Sequence, residues 1–171
     1  LKMLLAYHGH AVAYDAVAAA FVHLPGGVSV PQLGLYLLDL GFAATIVTLN
    51  PHLYSYDMRD WGDQAAIRAH LADRLAATDD PSRQRLLRYM IAFGAQGGSY
   101  RLKIPDAADV RAEIDRGRPV IALLSSNVLF GRPRFNFHFN VITGIDATQV
   151  TVNDPFWDDR GGRHTLPLDA Y

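Results

Sequence analysis

The 171-residue chain contains no cysteine. That absence excludes disulfides, thiolate metal sites and a cysteine nucleophile within these residues. No run approaches the ~20 apolar residues a membrane span needs, because the apolar opening LKMLLAYHGHAVAYDAVAAAF is broken by His8, Gly9, His10 and Asp15. A signal peptide would want a basic start, a continuous apolar stretch and a small-residue cleavage site, whereas this opening reads as two helices joined at a glycine. Charge of one sign is not in excess: sixteen Lys and Arg against seventeen Asp and Glu leave a net charge of -1. No long-range field therefore favours nucleic acid or an anionic membrane. Fixed-period repeats and low-complexity tracts are absent as well.

What is present is a chain with 50% hydrophobic and 19% charged residues. That is enough to bury one sizeable core, so a single domain over residues 1–171 is expected. Both ends look cut, since Leu1 begins inside an apolar helical pattern without Met or a capping residue and LPLDAY stops where a helix starts. The expectation is a domain truncated at both ends, with fused domains outside it. No compartment is indicated beyond a cytoplasmic default.

Apolar spacing puts helices first and strands last. Leu1, Leu4, Leu5 and His8 fall at i, i+3, i+4 and i+7 of a helix that Gly9 ends. A second helix is predicted from Tyr14 to Val22, with Val17, Ala20, Phe21 and Leu24 inward until Pro25-Gly26-Gly27. Ser29 and Gln32 have capping-box spacing ahead of a third, whose Leu33, Leu37 and Leu40 mark one face before Gly41. Ala43 to Leu49 reads as a strand closed by Asn50-Pro51. Asp60 to Gly94 reads as a helical hairpin, with Ile67, Leu71 and Leu75 on one stripe and, after Pro81, Leu86, Leu87, Met90 and Ile91 on the other. Tyr100 to Ile104 is a short strand, and Asp106 caps a helix that turns Val110 and Ile114 to the core before Gly117. The period then changes. PVIALLS (Pro119 to Ser125) is a continuous apolar run, and FHFNVITGI and QVTVND follow as two strands around Asp146-Ala147-Thr148. This segregated order predicts an α+β fold, N-terminal helices packed on a C-terminal antiparallel sheet.

The stretch HFNVITGIDATQVTVNDPFW carries the chemistry. It puts His138 at the start of one strand and Asp154 at the end of the next. Acyl transfer by a thiol needs an imidazole to hold the proton and a third group to fix the ring's tautomer. A three-residue loop at Asp146 to Thr148 would pair Ile145 with Gln149, and so Asn140 with Asp154. His138 and Asp154 then share a face as diagonal neighbours, with β-carbons roughly 7 Å apart. A two- or four-residue loop would put Asn153 on the histidine's face instead, which makes Asn153 the competitor for the orienting role.

These residues resemble the His and Asp blocks of the double-glycine-leader peptidases, the bacteriocin-processing branch of the papain-like cysteine peptidases, and of their stand-alone relatives. His138, Thr143-Gly144 and Asp154-Pro155 match that pattern one by one, and LKMLLAYHGHAVAYDAV is similar to the family's first helix, its Tyr-x-Gly exit and its second helix. The resemblance implies a papain-like fold in which His138 stabilises a thiolate and Asp154 orients the ring. It also implies that the nucleophilic Cys opens the first helix, upstream of Leu1, with an oxyanion-hole Gln earlier still. Its specific motifs occupy about residues 1–17 and 137–157. The helices of Asp60 to Gly94 exceed what the compact transporter-linked peptidases carry, which points to a stand-alone or differently fused relative.

Three functions share these residues. One is a cysteine peptidase that cuts a peptide or leader sequence; another is a peptidase-like module that binds a peptide without cutting it; a third is an acyltransferase or deamidase on the same fold. The expected partner is a peptide or protein substrate. No metal or cofactor is expected: His8-x-His10 lacks a third ligand at workable spacing, and zinc needs at least three. GAQGG (Gly94 to Gly98) lacks the Lys-Ser/Thr of a phosphate loop. Two features near the pair are open to plainer readings. Trp157 either shields the contact from water or is ordinary core, and the loop carrying Arg132 and Arg134 around Pro133 either overhangs a groove or is a solvated hairpin tip.

Overall fold

Helix ends follow local signals. In the computed structural model, which describes residues 1–22, 27–125, 137–156 and 161–171, α1 (Lys2–Tyr7) ends where Gly9 takes a φ of 79°, a left-handed conformation glycine adopts without strain. α2 (Tyr14–Ala19) is shorter than its apolar pattern, because Phe21 leaves the helix and sets its ring 5.4 Å from that of Tyr36. Leu24 and Pro25-Gly26 lie outside the described residues. The chain divides into two compact units, one of Leu1–Val17 with Asp106–Tyr171, the other of Ala18–Pro105.

In the Ala18–Pro105 unit, α3 (Val30–Asp39), α4 (Gln64–Ala76) and α5 (Pro81–Ala95) enclose a core with the short parallel pair β1 (Thr45–Val47) and β2 (Ser99–Arg101). α3 starts as its capping box requires, with the Ser29 N–H donating to the Gln32 side-chain oxygen at 2.9 Å. The side it turns to this core is not the expected Leu33, Leu37 and Leu40 stripe. Val30, Gly34, Leu35 and Leu38 lie inward, and Leu40 is exposed. The reason is Phe93, whose ring packs so closely on Gly34 that a Cβ there would stand 2.6 Å from its Cε2. The edge of β2 is closed by Gln64, which accepts from the Tyr100 N–H at 2.7 Å and donates to the Tyr100 carbonyl at 3.0 Å, as a neighbouring strand would.

Gly94 and Gly98 serve packing. A Cβ at Gly94 would meet the Tyr100 side chain, and one at Gly98 would enter the Phe93 ring. Gly98→Ala is therefore expected to lower stability by roughly 1–3 kcal/mol, read as a lower urea midpoint, whereas Gly62→Ala, where a Cβ meets nothing within 4 Å, leaves the midpoint unchanged. Equal midpoints for the two variants would contradict this packing.

In the other unit, α6 (Ala107–Ile114) precedes a four-stranded antiparallel sheet of order β3-β4-β5-β6. The strands are β3 (Val120–Ser125), β4 (Phe137–Ile145), β5 (Gln149–Asp154) and β6 (Gly162–Pro167). Asp106 accepts from the Asp109 N–H at 3.0 Å and Asp109 returns the bond at 3.1 Å, so the helix begins where its cap dictates. Val110 and Ile114 then pack on Ile142, Val150 and Val152, together with Val120, Ala122, Leu166 and Tyr171. The helix expected to start in LPLDAY is absent: Leu166 and Pro167 end β6, and residues 168–170 form a turn. β6 is a half-exposed edge strand with few apolar residues, and its form comes from pairing with β5, as in Val150 with Leu166 and Asp154 with Gly162.

Candidate active site

The register of β4 on β5 decides what faces His138. Ile145 pairs with Val150, so the connection is Asp146 to Gln149, one residue longer than expected. Asp146 builds it: its Oδ1 accepts from the N–H groups of Thr148 and Gln149, both at 2.8 Å, and these bonds hold its carboxyl below the usual range. Such a turn alone would bring Asn153 to the histidine's face. A bulge at Thr143, between Ile142 and Gly144, adds a second one-residue shift, and beyond it Ile142 pairs with Val152 and Val141 with Asn153. The two departures offset each other. Asn153 lies on the opposite face, and the same register carried one step further sets Asn140 across from Asp154.

One face of the sheet consequently runs from apolar to polar. Ile142, Val150 and Val152 lie in its core, and Asn140, Asp154 and His138 continue the same alternation to its end. His138 Nε2 stands 2.7 Å from Asp154 Oδ2, with the two side chains 16% and 0% exposed. Toward a carboxylate, which only accepts, Nε2 is the donor. The other carboxylate oxygen, Oδ1, accepts from the Phe156 N–H at 2.9 Å. Pro155 has no N–H, so residue 156 is the first after Asp154 that can make this turn. The Phe156 ring stacks on the imidazole, centroids 4.4 Å apart and planes within 13°. Asp154 is therefore fixed at both oxygens, and His138 is held by a hydrogen bond along one edge and by a ring across one face.

Phe156 was missed from sequence, although the Asp-Pro-x order carries the signal for its N–H bond. Trp157, Arg132, Pro133 and Arg134 lie outside the described residues. Asn140 was expected across from Asp154, but its bond to Tyr171 was not. Asn140 is 1% exposed and accepts at Oδ1 from the Tyr171 hydroxyl at 3.0 Å. Burial raises the Tyr171 hydroxyl above its ordinary range, so it stays a donor at neutral pH. Nothing in the sequence pattern joins two residues so far apart. Among the described residues no group of three or more His, Cys, Asp or Glu is placed to hold a metal ion, and no helix is long and apolar enough to cross a membrane.

Mixed helix and strand content with a four-stranded antiparallel sheet makes this an α+β protein with a papain-like fold. The model of the Peptidase_C39 like family matches residues 1–171, and the chain belongs to that family. It is thereby a papain-like, cysteine-peptidase-type domain. Comparison with curated proteins and with solved structures returned no match.

Proposed function

We propose that His138 and Asp154 are the imidazole and carboxylate of a thiol peptidase site that cleaves a peptide or leader sequence. The thiol would come from outside these residues, which contain no cysteine. The observation that carries the reading is the 2.7 Å bond between Nε2 and a fully buried carboxylate. With Nε2–H committed to Asp154, Nδ1 is the atom that exchanges the proton. It takes the thiol proton, and the resulting imidazolium stabilises a thiolate whose pKa falls from ~8.5 to roughly 3–4 in such surroundings. Sulfur attacks the peptide carbonyl and the C–N bond breaks. The imidazolium gives its proton to the leaving amine, and water hydrolyses the thioester with His138 again as base. Asp154 keeps the ring in the tautomer that both steps need.

The absence of cysteine from these residues also favours a second reading, a peptidase-like module that holds a peptide without cutting it. Alkylation of the full-length protein with a thiol probe, mapped by mass spectrometry, separates the two. The peptidase reading predicts rapid labelling of one cysteine outside residues 1–171, slowed about tenfold or more in His138→Ala. An accessible cysteine that labels at the same rate in both proteins removes that reading, and Ser, Gly or Ala at the nucleophile position leaves the binding module.

A further inference from the structure

Phe156 meets both members of the pair, each through a different part of itself. Its N–H donates to Asp154 Oδ1 at 2.9 Å, and its ring lies over the His138 imidazole with centroids 4.4 Å apart and planes within 13°. The turn that closes on the carboxylate therefore also delivers the ring, with Pro155 fixing the backbone φ between the two residues. From the edge of the imidazole, Nε2 is held at 2.7 Å by Asp154 Oδ2. That bond is a weak brake on the ring's plane. The side-chain torsion next to a histidine ring has broad minima, and turning the ring about its Cβ–Cγ bond swings Nδ1 further than Nε2. A flat ring laid on the imidazole face resists this rotation, because tilting opens the contact along one side and crowds it along the other. Being apolar, the Phe156 ring also offers no donor or acceptor that would compete for either nitrogen.

We propose that Phe156 is a positioning residue for His138: its ring fixes the plane of the imidazole, and with it the direction of Nδ1, while its N–H fixes the carboxylate that holds Nε2. The aim of Nδ1 matters because that atom takes the thiol proton and returns it to the leaving amine. To this extent the inference rests on the proposed peptidase reading. The fixing of the plane stands apart from any reaction, since it follows from the stack and the two hydrogen bonds alone.

Backbone and side-chain contributions separate experimentally, because every residue except proline keeps the N–H. Phe156→Leu retains the bond to Asp154 and an apolar side chain but loses the flat face, whereas Phe156→Tyr retains both. In the full-length protein, Phe156→Leu is expected to lower kcat about 2- to 12-fold, the worth of one stacked aromatic pair, and to leave KM within about twofold of the parent. Phe156→Tyr should restore kcat. Proton exchange measured by NMR on the same proteins supplies a readout that needs no turnover. The imidazole must turn for its Nε2 proton to leave the carboxylate, so that proton should exchange with water faster in the leucine variant by about the same factor, and at the parental rate in the tyrosine variant. Unchanged exchange in Phe156→Leu overturns the positioning role, and so does a tyrosine variant that exchanges as fast as the leucine one. A parent protein that cleaves no peptide removes the peptidase reading alone, and the exchange rates still decide whether Phe156 fixes the ring.

Discussion

Asp154→Ala is expected to slow peptide cleavage by the full-length protein about 10³-fold and to lower its stability by roughly 2–4 kcal/mol. Both effects follow from the same pair of bonds. The carboxylate accepts from His138 Nε2 at 2.7 Å and from the Phe156 N–H at 2.9 Å, and its side chain has no exposed surface. Truncation leaves two donors without an acceptor and lets the imidazole adopt either tautomer. Asp154→Asn should be milder, because its amide oxygen can take one donor while its NH₂ opposes the other. A loss of about 10- to 100-fold is expected, the effect of one buried unsatisfied group. Asn153→Ala, on the opposite face, should stay within about 0.5 kcal/mol of the parent. Measuring kcat/KM beside urea unfolding reads both quantities, and an alanine variant with undiminished kcat/KM would refute a role for Asp154 in the reaction.

Inserting one alanine next to Thr143 is expected to abolish the His138–Asp154 contact, whereas deleting Thr143 is expected to preserve it. Between the Ile145–Val150 pair and the site, β4 carries one residue more than the regular pairing of β5 allows, and the bulge absorbs it. Deleting Thr143 makes the ladder regular with Ile142 still opposite Val152. β3 is undisturbed, because its pairing with β4 starts at Val120 and Ile142. An added residue has no such solution. If the bulge persists, His138 turns to the other face; if the strand straightens, it slides along the sheet beyond reach of Asp154. The insertion should therefore lose cleavage on the scale of Asp154→Ala, with loss of the NMR signature of the Nε2–H···Oδ2 bond, and the deletion should retain both. Equal behaviour of the two variants would show that the bulge does not set the register.

Much of this protein was legible locally. Ser29 with Gln32, Pro81 behind Asp80, and Asp106 with Asp109 start helices through contacts spanning three residues or fewer, so their effect is written where they stand. His138 and Asp154 were legible for a related reason: alternation on two consecutive strands restricts which residues can share a face. Tertiary structure decided the rest. The longer turn and the bulge are each a one-residue matter, and their joint parity emerges only when both strands are paired. β6 is a strand because β5 offers it a ladder, and the inward side of α3 is chosen by the Phe93 ring reaching Gly34 from another helix. Tyr171 meets Asn140 across 31 positions of chain. Capping and alternation are short-range and survive in the unfolded sequence as pattern, whereas register, edge pairing and close packing depend on partners that only the folded chain brings together.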